Sequence, residues 1–259
     1  LILAFYGDMD VSKLIDKPMY RKNTITLSKP EEKIDEILIF IKNQIKNGYQ
    51  IFWVCPLIEE SKKLDYSAVV KKYKYLSKTF PNKIGLIHGR LNKDERNKVL
   101  NDFLGKTIDI LISTTVIEVG IDFPNANVIV IENSNKFGLS QLHQLRGRVG
   151  RGTSQSTCIL LYKNNLSQNA KKRIKILKSS NDGFFIAEED MKLRGFGDVL
   201  GFQQSGIKDF KLADPVQHED LFKIAEQNIK EIEQDENNFK RYDFLLKLFD
   251  KADIINQIN

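Results

Sequence analysis

The sequence predicts an α/β fold in which a parallel β-sheet carries helices on both faces, followed by a mainly helical C-terminal region. Two observations support this prediction. Between residues 24 and 162, six short runs rich in β-branched residues alternate with amphipathic helical patterns. After residue 162 the strand-like runs stop and polar helical patterns take over. Strands that alternate with helices are typical of parallel sheets, because each crossover needs a long connection.

The predicted strands are short apolar runs bounded by polar or glycine-containing segments. They lie at residues 24–27, 49–55, 84–87, 108–112, 128–131 and 158–162. Cys55 and Cys158 fall within two of these runs. We therefore expect buried, reduced thiols and a cytoplasmic protein rather than a disulfide framework.

The first predicted helix follows the first strand. Ser28 and Glu31 have the spacing of a capping box, Pro30 suits a first helical turn, and Gly48 suits the end. The helix itself is predicted by apolar residues at helical spacing, namely Ile34, Ile37, Leu38, Ile41 and Ile45.

Other helices are predicted further along the chain. Asn92 and Glu95 form a second capping-box pattern, and Gly105 marks the end of that helix. The lysine-rich residues 58–75 indicate a loop or insertion that precedes a short helix. Helical patterns then recur at 166–177, at 184–193 and over the last fifty residues.

Composition restricts the class of protein. The chain has 259 residues, a formal net charge of +6 and a sequence pI near 9.1, which modestly favours a polyanionic partner. No apolar run approaches the roughly 20 residues of a membrane span, so we expect no membrane partner. His88, His143 and His218 are too scattered to predict a metal site. Because the chain begins with leucine in an apolar run, we expect it to be part of a longer protein.

Residues 141–151 contain the most specific motif. Gln144, Gly147, Arg148, Gly150 and Arg151 are spaced as in a phosphate-binding loop. Guanidinium groups are planar, permanently charged donors suited to phosphate oxygens, and glycines allow close approach of backbone and ligand. The alternative interpretation is a basic surface loop.

A second motif lies at residues 113–124. It combines hydroxyl groups such as that of Thr114, a close-approach glycine at Gly120 and a carboxylate at Asp122 that could accept from a ribose hydroxyl. The alternative is a capped turn between a strand and a helix. Parallel sheets bind ligands at the carboxyl ends of their strands, so we expect both motifs to lie there.

Together these motifs resemble motifs V and VI of superfamily 2 helicases, whose second RecA-like lobe supplies arginine fingers to ATP held by the first. The resemblance implies that Arg148 and Arg151 are the fingers. It implies that Gln144 and Gly147 lie beside the nucleotide. Gly120 and Asp122 would form the nucleotide side of motif V, and Thr114 its nucleic-acid side.

Residues 6–12, 54–61 and 131–140 resemble the RecG family of bacterial branch-migration helicases. Residues 182–206 resemble the translocation motif which that family shares with the transcription-repair coupling factor. There a helical hairpin and loop link the ATP site to DNA, which implies coupling roles for Arg194 and Gln204. His88 and Arg90 follow a strand where related helicases contact the nucleic-acid backbone, although a structural histidine is the alternative.

The resemblance also implies cofactors, partners and domains. ATP with Mg²⁺ would be bound mainly by a first lobe upstream of this chain, and branched DNA would be the substrate. The chain has no Gly-x-x-x-x-Gly-Lys-Ser/Thr loop, so we expect no ATP hydrolysis by the chain alone. A wedge domain of the same protein would also lie upstream. The expected divisions are a connecting segment (1–23), the second lobe (24–163), the translocation motif (164–206) and C-terminal helices (207–259).

Two other functions fit parts of the sequence. The chain could belong to the coupling factor, which displaces RNA polymerase, although residues 6–12 and 54–61 would not be expected there. Alternatively, the lobe could bind DNA or a partner without catalysis. A binding module has no need of the spacing between Arg148 and Arg151, so this spacing favours the enzyme.

Overall fold

The structure, a computed structural model, describes residues 22–56, 62–114 and 123–194, and further along residues 221, 224, 225, 227 and 228. The chain divides into two compact units. One unit comprises Asp16–Leu193, and the other comprises Leu1–Ile15 together with Arg194–Asn259. The domain boundaries expected from the sequence stay predictions.

The first unit contains a six-stranded sheet, and each predicted run forms a strand. In spatial order the strands are β1, β6, β5, β2, β4 and β3, and all neighbouring pairs are parallel. Their bounds are β1 Ile25–Pro30, β2 Gln50–Cys55, β3 Ile84–Ile87, β4 Ile110–Thr114, β5 Ala126–Ile131 and β6 Thr157–Tyr162.

Helices cover both faces of this sheet, as predicted. Within the described residues their bounds are α1 Ile34–Lys46, α2 Lys62–Thr79, α3 Lys93–Leu104, α4 Leu139–Arg146, α5 Gln168–Ser179 and α6 Gly183–Arg194. Helices α1 and α2 contribute to the core on one face, and α3 to α6 contribute to the core on the other. None of the helices in the described part of the chain is both long and apolar enough to cross a bilayer.

The two cores follow from the alternation of side chains along each strand. In β2, Phe52 and Val54 face the α3–α6 side, whereas Ile51, Trp53 and Cys55 face the α1–α2 side. All five side chains are buried. A strand buried on both faces reads as a continuous apolar run, which is why these strands were visible in the sequence.

The cap of α3 is confirmed in detail. Asn92 Oδ1 accepts a hydrogen bond from the Glu95 backbone N–H at 2.8 Å, and Glu95 Oε2 accepts from the Asn92 N–H at 3.1 Å. Gly105 is the C-cap residue, as the sequence predicted. Each capping interaction of this kind stabilises a helix by about 1 kcal/mol.

The capping box predicted for α1 is wrong. Ser28 and Pro30 belong to β1, where they pair with Leu160 and Tyr162 of β6. A 3-10 turn at Glu31–Lys33 then leads into α1, which has no side-chain cap. Proline is tolerated in β1 because it lies at the end of an edge strand. The predicted end of α1 is confirmed, because Gly48 follows the helix with a φ of +81°.

The loop predicted for residues 58–75 is also wrong in extent, because α2 begins at Lys62. Val69, Tyr73, Leu76 and the following Phe80 recur at helical spacing and contact the α1–α2 core. Lysines between these positions obscured the pattern. Long charged side chains can lie along a buried helix while keeping their ammonium groups near solvent.

Candidate functional site

The arginine motif lies at the amino ends of the strands, which contradicts the expectation that it lies at the carboxyl ends. It follows α4, the helix that returns from the carboxyl end of β5 to the start of β6. The Gly150 N–H donates to the carbonyl of Ala126, the first residue of β5, at 3.4 Å. The rule of carboxyl-end sites therefore does not apply to this half of the candidate site.

Close packing fixes the backbone of the arginine loop, residues 147–152. Gly150 has a φ of +74°, and a β-carbon there would lie 2.3 Å from Ser156 Oγ. Ser156 Oγ in turn lies 2.9 Å from Thr24 Oγ1, just before β1. A β-carbon at Gly152 would lie 3.1 Å from the Pro124 carbonyl oxygen. Only glycine satisfies both the left-handed backbone and the space at position 150.

The predicted fingers are presented by this loop. Arg148 and Arg151 are both half-buried. Within the described ranges, no hydrogen bond or ion pair is found for the Arg148 side chain, whereas Arg151 has an interaction partner. Gly147 caps the C-terminus of α4, and Gln144 is exposed one turn earlier. The loop thus holds a half-buried guanidinium group that pairs with no acidic side chain among the described residues.

Gly120 and Asp122 lie outside the described residues. Phe123 and Pro124, which follow them in the sequence, lie at the amino end of β5. Phe123 is buried and Pro124 touches the arginine loop. The end of the second motif therefore leads into the same edge as the arginines, while its start, Thr114, ends β4 at the opposite edge.

Arg146 is a functional candidate that the sequence analysis missed. It is 3% exposed, and its Nη1 donates to the carbonyls of Leu177 at 2.6 Å and Ser180 at 2.9 Å. Nη1 also lies 3.3 Å from Thr26 Oγ1. Burial lowers the pKa of Arg146, but an arginine remains charged at neutral pH. A signal was present, because Arg146 lies four residues after buried Leu142 on the apolar face of α4.

The two carbonyls explain how a buried cation is tolerated. Leu177 lies in the last turn of α5 and Ser180 caps it, so Arg146 satisfies carbonyl groups that a helix end leaves unpaired. Arg146 Nη2 also lies 3.0 Å from His143 Nδ1. Because arginine can only donate, His143 Nδ1 must accept, which places the ring proton on Nε2.

Further contacts join the arginine helix α4 to the hairpin formed by α5 and α6. Ser140 Oγ donates to Asp190 Oδ2 at 2.6 Å, and Asp190 is buried. A β-carbon at Gly183 would lie 3.1 Å from His143 Nε2. Arg173 of α5 donates to the Phe137 carbonyl, just before α4, at 2.7 Å. The hairpin is therefore anchored to α4 by directional polar contacts as well as by apolar packing.

The predicted nucleic-acid residues lie at the carboxyl edge. Thr114 is half-buried at the end of β4, and His88 follows β3. His88 Nδ1 accepts from the backbone N–H of exposed Arg90 at 3.2 Å. Partial burial, and then the Arg90 charge, lower the pKa of His88, so a neutral ring is favoured. Strands of five or six residues separate this edge from the arginine loop by roughly 15–20 Å.

The coupling residues are described only in part. Arg194 is the last residue of α6. Gln204 lies outside the described residues. The structure therefore places the beginning of the predicted translocation motif against α4 and leaves its loop untested.

A buried ion pair stabilises the carboxyl edge, and the sequence analysis did not identify it. Lys72 Nζ of α2 lies 2.6 Å from Glu132 Oε1, which follows β5, and both side chains are largely buried. The Lys72 ammonium group also lies 5.7 Å from the centre of the Trp53 ring. Cys55 Sγ lies 3.6 Å from Glu132 Oε2. The sequence pattern instead placed Lys72 in the lysine-rich loop or insertion predicted for residues 58–75.

Comparison with known proteins identifies two matching families. Residues 30–153 match the helicase conserved C-terminal domain. Residues 180–252 match domain 3, C-terminal, of the ATP-dependent DNA helicase RecG. Together these matches include the arginine loop, the carboxyl-edge residues and the hairpin helix α6.

Individual relatives give the same result. The chain is 46% identical to the ATP-dependent DNA helicase RecG of Thermotoga maritima over 90% of its length, and 44% identical to that of Bacillus subtilis over 88%. It covers 30% and 34% of these two relatives, or about a third of their length.

A solved structure of RecG bound to a three-way DNA junction matches 85% of the chain with a TM-score of 0.66 at 44% identity. The match covers 28% of that structure. The chain therefore belongs to the RecG family of ATP-dependent DNA helicases.

Proposed function

We propose that this chain supplies the second RecA-like lobe and the translocation motif of a helicase that unwinds and branch-migrates forked or junction DNA. The observation that carries the proposal is the arginine loop. Glycines fix its backbone, Arg148 has no neutralising partner in the described ranges, and the preceding helix is anchored to the α5–α6 hairpin. The junction-bound relative supports branched DNA as the substrate.

The amino edge acts on the nucleotide in this proposal. ATP with Mg²⁺, held mainly by the upstream lobe, would supply the reactive phosphate. Arg148 and Arg151 would donate to oxygens of its γ-phosphate and stabilise the charge that develops during transfer to water. Gln144 and Gly147 would line the same site. Asp122, together with Gly120, would accept from a ribose hydroxyl.

The polar contacts between α4 and the hairpin carry the coupling. When the lobes close and Arg148 reaches the phosphate, α4 moves with it. Because Arg146 holds the end of α5 and Ser140 holds Asp190 of α6, the hairpin is expected to move as one body with α4. Arg194 and Gln204 would pass this movement to DNA.

The carboxyl edge holds the nucleic acid. The hydroxyl group of Thr114 and the exposed guanidinium of Arg90 are suited to phosphate oxygens of the DNA backbone. A neutral His88 can take part through its Nε2 group. These contacts position the strand without reading its sequence, as a translocating enzyme requires.

DNA-stimulated ATPase activity tests the arginine assignment. The chain is expressed with its upstream region, and turnover is measured for wild type, Arg148→Ala and Arg148→Lys. We expect a loss in kcat on the order of 10³-fold for alanine, with little recovery for lysine, because lysine lacks the planar fork. As a control, Arg90→Ala should raise the DNA concentration needed for half-maximal stimulation and leave kcat unchanged. Unchanged turnover in Arg148→Ala would exclude the finger role.

A second experiment tests the coupling. Gln204→Ala should reduce junction unwinding more than ATP hydrolysis, because Gln204 is proposed to pass the movement caused by hydrolysis to the DNA. Both rates are measured on the same three-way junction, so that ATP consumed per junction unwound is obtained directly. An equal loss of both rates would remove the coupling role.

The two alternative functions make different predictions. A coupling factor would displace a stalled RNA polymerase, but the match of residues 180–252 to RecG domain 3 favours the junction helicase. A non-catalytic binding module would show DNA binding that is insensitive to ATP and would tolerate Arg148→Ala in every assay.

A further inference from the structure

Helix α5 and its flanks carry an unusual concentration of positive charge. Residues 163–181 contain six lysine or arginine residues and no aspartate or glutamate, in a chain whose whole formal net charge is +6. Arg173 is used inside the protein, where it donates to the Phe137 carbonyl. The lysines of this segment are all exposed.

Three of these lysines form a stripe. Ala170, Ile174 and Leu177 mark the buried face of α5. At 100° per residue, Lys171, Lys175 and Lys178 fall within about 60° of one another on the flank of that face. They span eight residues, so Lys171 and Lys178 lie about 10 Å apart along the helix axis. We call these three residues the α5 lysine stripe.

The α5 lysine stripe borders a groove of about 380 Å³. Tyr162, Leu166 and Ile174 also line this groove, and Ser28 of β1 lies at its edge. Lys178 Nζ lies 3.4 Å from Ser28 Oγ. Among the described residues, no carboxylate lies within ion-pair distance of any lysine of the stripe. Positive charge is thus left uncompensated beside an aromatic and aliphatic surface.

This arrangement suits an extended polyanion better than a small anion. Three ammonium groups spread over about 10 Å cannot converge on one phosphate, but they match roughly three successive phosphates of a DNA strand, which rise 3.4 Å each. A tyrosine beside a positively charged groove is also typical of surfaces on which sugars and bases of a strand rest.

The position of the groove agrees with the candidate nucleic-acid edge. Tyr162 ends β6, so the end of the groove beside Tyr162 and Lys171 opens at the carboxyl edge that also holds Thr114 of β4, and the groove runs along α5 towards the amino edge at Lys178. Strands β5 and β2 lie between β6 and β4. Neighbouring strands lie about 4.8 Å apart, so the ends of β6 and β4 are separated by three spacings, or roughly 15 Å. One DNA segment can therefore contact both.

We propose that the α5 lysine stripe is a second contact for the phosphate backbone of the DNA on which the helicase acts. This proposal rests on the proposed function and adds a site to it. The stripe contributes sequence-independent affinity by displacing counterions from the DNA.

The salt dependence of DNA binding tests the proposal. The helicase comprising this chain and its upstream region is titrated against a fluorescent three-way junction without ATP, from 50 to 200 mM salt. The variant replaces Lys171, Lys175 and Lys178 with glutamine. The plot of log Kd against log salt should become less steep by about 2 to 3, or about 0.9 for each phosphate contact. Wild type then loses roughly 16- to 64-fold more affinity than the variant over this range.

Two further variants separate the site from net charge. Replacing the stripe by arginine should keep the wild-type slope. Replacing the exposed α2 residues Lys71, Lys74 and Lys78 with glutamine removes the same charge elsewhere and should leave the slope nearly unchanged. An unchanged slope in the stripe variant overturns the proposal. An acidic protein would then be the better candidate for the partner of the stripe. An equal change in both glutamine variants overturns it as well.

The outcome is independent of the finger assignment. The binding assay contains no ATP, whereas the Arg148→Ala assay reads ATP turnover at saturating DNA. The α5 stripe variant should retain wild-type turnover when DNA is saturating. Either proposal can therefore fail while the other stands.

Discussion

Replacement of Arg146 by methionine tests the connection between the arginine helix and the hairpin. Methionine keeps much of the apolar stem but removes every donor. The carbonyls of Leu177 and Ser180, now 2.6 and 2.9 Å from Nη1, lose a charged partner. A hydrogen bond to a charged group contributes about 1.5–3 kcal/mol, and a buried unsatisfied acceptor costs about 1–3 kcal/mol. Removal of the buried cation itself offsets part of this loss.

We expect a net destabilisation of about 2–4 kcal/mol, because the Leu177 carbonyl is buried and the Ser180 carbonyl can take a water molecule. A domain of this size shifts its Tm by about 2–4 °C per kcal/mol, so Tm should fall by roughly 5–15 °C. Arg146→Lys keeps the charge but loses the planar fork of donors. Its unfolding free energy should therefore lie between those of wild type and Arg146→Met.

Urea unfolding monitored by tryptophan fluorescence measures this effect. Trp53 is the single tryptophan and is fully buried in the sheet, so its emission reports unfolding of the lobe directly. Lys172→Met on the neighbouring helix α5 removes an exposed lysine and should change the unfolding free energy by less than about 0.5 kcal/mol. A change below about 1 kcal/mol in Arg146→Met would refute the inference that this side chain holds α4 to α5.

Three further predictions concern other parts of the lobe. Gly150→Ala should destabilise the chain by about 1–3 kcal/mol in the same urea assay, because its φ of +74° and its close packing exclude a β-carbon. Lys72→Met should cost about 3–5 kcal/mol by leaving Glu132 buried and unpaired, and Glu132→Gln in the same chain should restore most of this loss. Burial raises the pKa of Cys158 to about 12 and also raises that of Cys55, so neither thiol should react with a thiol reagent at pH 8 without urea. Unfolded thiols ionise near pH 8.5, so the unfolding free energy should fall from pH 8.5 to 10 by up to about 1.4 kcal/mol per pH unit for each cysteine.

The sheet was predictable because its strands are buried on both faces. Residues 51–55 of β2 and 128–131 of β5 form runs without a charged or amide side chain, and the crossover helices between the strands have apolar faces. The cap of α3 was equally visible, because Asn92 and Glu95 satisfy only local backbone groups. Local rules therefore sufficed for these elements.

Long-range contacts explain the errors. Ser28 looked like a helix cap, but pairing with β6 makes it part of a strand. The extent of α2 was missed because Lys71, Lys72 and Lys74 lie among core residues such as Val69 and Leu76. Arg146 looked like one more exposed arginine of a basic loop. Its position on the apolar face of α4 was a local signal of burial, but its partners lie at the end of α5, more than thirty residues away in the sequence.

The position of the arginine loop on the sheet could not be predicted from the sequence. A general rule for parallel sheets places ligands at the carboxyl edge, and the sequence offers no sign that Arg148 lies at the other one. The direction of α4 decides this, because a helix that returns along the sheet ends at the amino edge. The candidate site residues are thus divided between the two edges, with Thr114 at the carboxyl edge and the arginines at the amino edge.

In the part of the lobe that the structure describes, the length of the strands separates Arg148 at the amino edge from Thr114 at the carboxyl edge. Substitutions at Arg148 and at Thr114, roughly 15–20 Å apart, should have additive free-energy effects, because distant sites without common partners do not couple locally. Under the proposed function, nucleic-acid preferences at the carboxyl edge would change while the arginine loop at the amino edge keeps its structure. The length of the strands would let contacts with DNA vary without altering the residues that face the nucleotide.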